Sequence, residues 1–304
     1  MTPTLHAAGR AVALGERPWL MGIVNATPDS FSDGGRYTTL DARVDLARDM
    51  LAAGADIIDI GGESGVTNRP AVSAAAEIER VVGLIERVVG ELGALVSVDT
   101  YKPAVAAAAI AVGAVIVNDV SGLRDPELAD VCASTGAGLV LMHTPVPPKV
   151  KGLDIRYDDV AGEVAAFLAQ RIDFAVSRGV AEEQIIVDPG PDFGKTPAQT
   201  VAALGDLTLL HGLGRPVLLA VSRKDFVGAI TGRGPRERLA GTLAALAHGV
   251  DQGAHIFRVH DVAEAADFLA VRAVLRGERP IGEDVRLAEG LRREPAVPPG
   301  SPLR

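Results

Sequence analysis

Cysteine is almost missing from this chain: Cys132 is the sole thiol in 304 residues. That excludes an intrachain disulfide framework and a thiolate metal cluster. Residues 128–135 have a helical pattern, so Cys132 is expected as a buried, unreactive side chain. Aromatic residues are also scarce, at 4%. Basic charge is outweighed, with 30 Lys and Arg against 39 Asp and Glu. A net charge of −9 provides no electrostatic footprint for nucleic acid or for an anionic membrane, although it allows a local basic pocket. Long apolar runs are absent. The longest, residues 103–117, is Ala-rich and shorter than the ~20 residues that a spanning helix needs. The chain does not open with a basic-then-apolar targeting pattern, and a cytoplasmic protein is expected. No P-loop, HExxH or serine elbow occurs.

What is present is Ala, Val, Leu and Ile, the makings of strands buried on both faces and helices packed over them. Short apolar runs at 20–24, 57–60, 95–98, 115–117, 139–142, 185–187, 217–220 and 256–259 read as strands. Helix-like segments lie between and after them, at 40–53, 74–92, 103–111, 126–134, 158–178, 197–204, 235–252 and 262–275. Pro103, Pro126 and Pro197 suit a first helical turn. Such alternation implies parallel pairing with right-handed crossovers, and eight units favour a closed barrel. The expected fold is a single-domain α/β (β/α)8 TIM barrel over 18–280. Residues 1–17 are an N-terminal extension, peripheral and able to form a hairpin, and 281–304 are a flexible tail.

In such a barrel the chemistry sits where strands end. Those positions hold Asn25; Gly61-Gly62-Glu63-Ser64; Asp99-Thr100; Asn118-Asp119; His143; Asp188-Pro189-Gly190; Ser222-Arg223-Lys224; and Arg258-Val259-His260-Asp261. Any one Asp or Asn after a strand reads equally well as a helix N-cap, and Asp125 and Asp261 are expected to be caps alone. Asp99, Asn118 and Asp188 together suit the donor and acceptor edge of a flat heterocycle. Left unpartnered, each would cost ~1–3 kcal/mol. Arg258 and His260 alternate along one strand end and face the same way. With Asn25 they form a candidate oxyanion site, the other reading of Arg258 being an ion pair with a mouth acid. Asn25 is also a candidate ligand for a Mg2+ that keeps most of its waters. His143 reads as structural or functional alike. Gly61-Gly62 suits close backbone approach.

The first strand runs directly into Asn25-Ala26-Thr27-Pro28-Asp29-Ser30-Phe31-Ser32-Asp33-Gly34-Gly35, a block rich in acceptors and hydroxyls with one bare aromatic. A connector needed only to turn would not require that inventory, and loops on rigid scaffolds carry function disproportionately.

In this order, the tips resemble dihydropteroate synthase over roughly 18–280. The motifs that carry the resemblance are residues 25–35, Gly61-Gly62-Glu63-Ser64, Ser97-Val98-Asp99-Thr100, Val117-Asn118-Asp119, Met142-His143, Asp188-Pro189-Gly190, Phe193-Gly194-Lys195-Thr196, Ser222-Arg223-Lys224 and Arg258-Val259-His260-Asp261. The resemblance implies a homodimeric barrel. Its reaction would condense 6-hydroxymethyl-7,8-dihydropterin pyrophosphate with p-aminobenzoate, giving 7,8-dihydropteroate and pyrophosphate for folate biosynthesis. By matching motif, Asp99, Asn118, Asp188, Lys224 and Arg258 would hold the pterin. Asn25, Arg258 and His260 would hold pyrophosphate, with Mg2+ at Asn25. Phe193, Ser222 and Lys224 would border p-aminobenzoate. The bond to pyrophosphate would break early, leaving a pterin-methylene cation, so Asp99, Asp188, Lys224 and Arg258 carry the chemistry without a protein nucleophile. The 29–35 loop would close over the site and exclude water.

Three stretches depart from the family pattern. After Ser64 the chain reads Gly65-Val66-Thr67-Asn68-Arg69-Pro70, where Thr-Arg-Pro-Gly is usual. Pro191-Asp192 precedes Phe193, where the family often has an apolar residue and glycine, and Asp192 is expected to place a carboxylate near the p-aminobenzoate wall, where like charges repel. Thr144-Pro145-Val146-Pro147-Pro148-Lys149 replaces a polar stretch. The alternatives are a pterin-binding paralogue that has little synthase activity or uses another aryl amine, and a methyltetrahydrofolate-dependent methyltransferase. The Ser222-Arg223-Lys224 motif and the 25–35 block speak against the latter.

Overall fold

The computed structural model describes residues 4–15, 17–27, 39–65, 67, 70–150 and 155–293. The chain divides into two compact units, Met1–Ala266 and Asp267–Arg304. In the first, an antiparallel hairpin of β1 (Thr4–Ala7) and β2 (Arg10–Ala13) precedes eight parallel strands. These are β3 (Trp19–Asn25), β4 (Ile57–Gly61), β5 (Leu95–Asp99), β6 (Ile116–Asp119), β7 (Gly138–Met142), β8 (Ile185–Asp188), β9 (Leu218–Leu219) and β10 (Ile256–Val259). Their order, β8-β7-β6-β5-β4-β3-β10-β9, is a barrel opened between β8 and β9. A parallel bridge from Val187 to Val217 spans that seam, and the Val187 amide donates to Pro216 O at 2.9 Å. The eight strands expected from the sequence are these eight.

The helices are α1 (Leu40–Ala52), α2 (Ala74–Leu92), α3 (Pro103–Ala111), α4 (Pro126–Thr135), α5 (Val160–Ser177), α6 (Pro197–Gly205), α7 (Thr208–His211), α8 (Asp225–Thr231), α9 (Leu239–Asp251) and α10 (Val262–Leu275). Thr39, Ser73, Asp125, Asp159 and Thr196 each cap a helix through a side-chain oxygen, satisfying amides the helix itself cannot. Two helices were not anticipated. α7 is a single turn. α8 starts directly after Lys224, and its seven residues are too few to show a periodicity. The expected helix over 235–252 begins as a 3-10 turn at Pro235–Glu237, and α9 follows it.

β4, β7 and β8 are buried at every residue, as parallel strands covered on both faces must be. The hairpin is not the peripheral feature expected from the sequence. Leu5, Ala7 and Leu14 join Met21, Ile57, Ile116, Val140, Ile186, Leu218 and Ile256 in one core cluster and form the barrel floor. Full burial of a Leu contributes about 1.5–3 kcal/mol, so Leu5 and Leu14 (1% and 2% exposed) make this segment part of the stable fold.

In the second unit, the end of α10 leads to Glu278, which pairs with Arg272 (3.1 Å) and Arg276 (3.3 Å). A 3-10 turn at Glu289–Leu291 follows. No helix among the described residues is long and apolar enough to cross a membrane.

Candidate active site

Strand register places the first part of the site. Asn25 pairs with Gly61, Gly61 with Asp99, and Asp99 with Asn118, so four strand ends lie in one layer at the C-terminal mouth. On the far side Met142 pairs with Asp188. Arg258 on β10 pairs with Met21 and reaches this layer by its side chain. Its Nε donates to Asp59 Oδ2 at 2.6 Å and its Nη2 to Asp99 Oδ2 at 2.7 Å. Asn118 Nδ2 donates to the same Asp59 oxygen at 3.2 Å. The other Asp59 oxygen is buried without a hydrogen-bond partner. A native fold seldom leaves such an atom unpaired without a functional reason, and a donor-bearing ligand would satisfy it.

Asp59 is the residue that sequence reading missed. It lies inside the apolar run Ile57-Ile58-Asp59-Ile60, one step before the tip. The available signal was a lone carboxylate inside an apolar run of the kind a doubly covered strand has; such a residue is rarely buried unless paired, and Asp59 is fully buried.

Electrostatics follow from this packing. Burial alone would lower the Arg258 guanidinium, but Asp59 and Asp99 raise it further. Burial raises Asp99, Arg258 pulls it back and Asp59 raises it again, for a net upward direction. Burial pushes Asp188 up to about 6, opposed by the Gly190 amide (2.7 Å), Lys224, Lys195 and Arg258. Burial lowers Lys224, against the pull of Asp192 and Asp188. The Lys224 Nζ sits 4.4 Å over the Phe193 ring, a cation–π contact. His260 is driven down to about 3 by burial, then by Arg223, Arg258 and Lys224. Its Nδ1 shares a 3.0 Å hydrogen bond with Ser222 Oγ, which also accepts from the His260 amide at 3.2 Å.

The second half of the site is carried by the loop after β8. Gly190 has φ +64, and a Cβ there would meet His143 O at 2.0 Å, so only glycine fits. The buried Lys195 ammonium binds His143 Nδ1 (2.7 Å), Gly190 O (3.0 Å) and Phe193 O (3.3 Å). This resolves His143: burial, then Lys195, holds it neutral at about 3, and it serves as an acceptor that anchors the loop. Its ring meets Phe167 edge-on, with centroids 4.9 Å apart. Asp192 does not place its carboxylate as a free charge. Both oxygens accept backbone amides at the start of α8, from Asp225 (2.6 Å) and Phe226 (3.3 Å).

Gly62 bears out close approach, since a Cβ would lie 2.8 Å from Glu77 and Val81 side chains. Glu63 accepts from Val72 N (2.9 Å), Tyr101 Oη (3.1 Å) and Lys102, and Lys149 lies 3.2 Å away. Lys149 also reaches Ser64 O, so two of the departing loops touch. Asp119 holds a turn through the amides of Ser121 and Leu123. Asp125 is a cap as expected, whereas Asp261 is an ion-pair partner of Arg223 (Nε to Oδ2, 3.0 Å). Cys132 is fully buried, and burial pushes its thiol up to about 12. The expected 29–35 lid, and Val66, Asn68 and Arg69, lie outside the described residues.

The mouth thus gathers carboxylates, an amide and a guanidinium in a polar, largely buried cluster, groups suited to a flat heterocycle. The family model for pterin binding enzymes matches residues 21–260. A dihydropteroate synthase of Bacillus subtilis is 43% identical over 266 residues, covering 87% of this chain and 91% of that protein. A Xanthomonas albilineans dihydropteroate synthase solved with 4-aminobenzoic acid superposes with a TM-score of 0.83 at 44% identity, covering 91% of this chain and 99% of that one. The same enzyme in complex with 7,8-dihydropteroate gives 0.81 at 44%, covering 90% and 99%. The chain belongs to the pterin binding enzymes and, among them, to the dihydropteroate synthase family.

Proposed function

We infer that this chain is a transferase that condenses 6-hydroxymethyl-7,8-dihydropterin pyrophosphate with p-aminobenzoate, forming 7,8-dihydropteroate and releasing pyrophosphate. The observation that carries this is the Arg258 guanidinium held between Asp59 and Asp99, with Asn118 and Asp188 on the same mouth. Solved relatives that hold 4-aminobenzoic acid or 7,8-dihydropteroate support it.

In this reading Asp99, Asn118, Asp188 and Lys224 hydrogen-bond the edge of the pterin, and Arg258 lies beside its ring. The carbon–oxygen bond to pyrophosphate breaks first. The methylene carbon then gains a bond to the aryl amine nitrogen, which gives up a proton. Asp188 and Asp99 offset the positive charge that develops on the pterin, and Arg258 and His260 receive the departing anion with Asn25. Phe193, Ser222 and Lys224 border the aryl amine.

Among the described residues no cluster of acids, histidines or cysteine forms a metal cage. Asn25 supplies one neutral oxygen, which fits a Mg2+ held mainly by pyrophosphate and water. When bound, the ion would offset charge on the leaving group.

A homodimer is part of the proposal. Val201 (47% exposed) and Ile230 (68%), with Leu204, Phe226 and Ala245, edge an apolar hollow of about 360 Å3 beside α6, α8 and α9. Exposed apolar surface of this kind suits a partner copy. A cytoplasmic location also belongs to this reading.

Pyrophosphate release from purified protein is the test, measured with the dihydropterin pyrophosphate, with and without p-aminobenzoate and with Mg2+ present or chelated. Release that needs both p-aminobenzoate and Mg2+, with dihydropteroate formed, is expected. Tight pterin binding without release would overturn the synthase reading in favour of a binding paralogue.

A further inference from the structure

Asp192 sits in the left-handed backbone region, at φ +67, where a residue with a side chain is strained. Strain of this kind persists when surrounding contacts fix it, and here four contacts do. The Asp192 amide donates to Thr200 Oγ1 on α6 at 3.1 Å, and that hydroxyl lies 3.3 Å from Asp192 Oδ1. Oδ2 accepts the Asp225 amide at 2.6 Å, and Oδ1 accepts the Phe226 amide at 3.3 Å. One carboxylate therefore ties the loop after β8 to α6 and to the first turn of α8.

The neighbours of these tied positions are the two side chains that stack in the site. Phe193 follows Asp192, and Lys224 precedes Asp225. Their 4.4 Å contact joins segments 31 residues apart in the chain. From inside, Lys195 grips the same loop through Gly190 O and Phe193 O. Asp192 supplies the only outer fastening among the described side-chain hydrogen bonds that join this loop to α8.

We propose that Asp192 is a positioning residue that holds Phe193 against Lys224 and so shapes the aryl amine side of the site. The proposal rests on the synthase reading above, which places those two side chains there. It accounts for an acid at this position without a charge facing the aryl amine: both oxygens are engaged by amides of α8.

Asp192→Gly and Asp192→Asn test it. Glycine accepts φ +67 without strain but removes the carboxylate. Asparagine tolerates that backbone and keeps one acceptor oxygen. In Asp192→Gly, the KM for p-aminobenzoate is expected to rise about tenfold, the scale of one lost charge-assisted hydrogen bond. The KM for the dihydropterin pyrophosphate should stay within about twofold. Asp192→Asn, which keeps one acceptor for the Asp225 amide but turns its NH2 towards the Phe226 amide, should fall between the wild type and Asp192→Gly. Unchanged KM values in Asp192→Gly would overturn the proposal, as would a parallel rise in both or an Asp192→Asn variant as impaired as the glycine. Wild-type protein is assayed first. If it forms no dihydropteroate, the synthase reading itself has failed, and this proposal falls with it.

Discussion

Arg258 and Asp59 are 199 residues apart in sequence and 2.6 Å apart at the barrel mouth, with the guanidinium of one donating to the fully buried carboxylate of the other. The pair is not isolated, because Arg258 also reaches Asp99 and Asn118 also reaches Asp59. Removing the cation leaves two carboxylates facing each other in a buried site, a change that typically costs about 3–5 kcal/mol. Arg258→Met is therefore expected to lower thermal stability and to abolish measurable turnover. Adding Asp59→Asn to it should recover part of the stability but none of the activity. The cycle is read by denaturant unfolding; strictly additive effects would deny the coupling.

Asp188 is needed as an acceptor. Asp188→Asn exchanges one acceptor oxygen for a donor facing donors of the pterin, so binding of the dihydropterin pyrophosphate should fall below detection by calorimetry. In the wild type, burial holds the Asp188 pKa at about 6. Protonation removes the acceptor, so affinity should decline as the pH falls through 6. Affinity unchanged between pH 7.5 and 5 would exclude Asp188 from the pterin edge.

His260 is neutral at pH 7, since burial and three neighbouring cations hold it near 3. Its folded pKa lies below the unfolded ~6.5, so the unfolded chain binds the extra proton between those values. Stability from this group is therefore fully present above about 6.5 and declines as the pH falls towards 3. Between pH 7.5 and 5 the wild type should lose up to about 2 kcal/mol more stability than His260→Gln does. Urea unfolding of both proteins at pH 7.5 and 5 measures it. An anion beside His260 should also draw a proton onto the ring, seen as buffer-dependent heat when pyrophosphate binds.

Ile230 is two-thirds exposed on α8 at the edge of an apolar hollow. Ile230→Asp places a charge in that surface and should convert the dimer proposed above to monomer in light scattering, with its fold intact by circular dichroism; a monomeric wild type would overturn the dimer. A dimer that tolerates the substitution would place the interface elsewhere.

The alternation of eight strands with their longer helices was legible because parallel strands covered on both faces are mostly apolar. The tips were legible for the opposite reason: Asn25, Asp99, Asn118 and Asp188 interrupt that apolarity at the C-terminal ends of their strands. Asp59 was hidden by the same logic, since its apolar neighbours made it part of a strand rather than of a tip. α8 was hidden by its shortness, and the core role of Leu5 and Leu14 by the brevity of the two four-residue strands of their hairpin, which carry too little apolar pattern to show a buried face.

The sequence by itself determined the order of the elements, the barrel class and the chemical character of its mouth, because hydrophobic period and residue type are local properties. Only the tertiary structure decided which charges are partners. Arg258 meets Asp59, Lys195 meets His143 and Asp192 meets α8 across separations of 199, 52 and 33 residues. Such pairings depend on strand register and barrel closure, which bring distant segments within hydrogen-bond reach and exclude the water that would otherwise screen them.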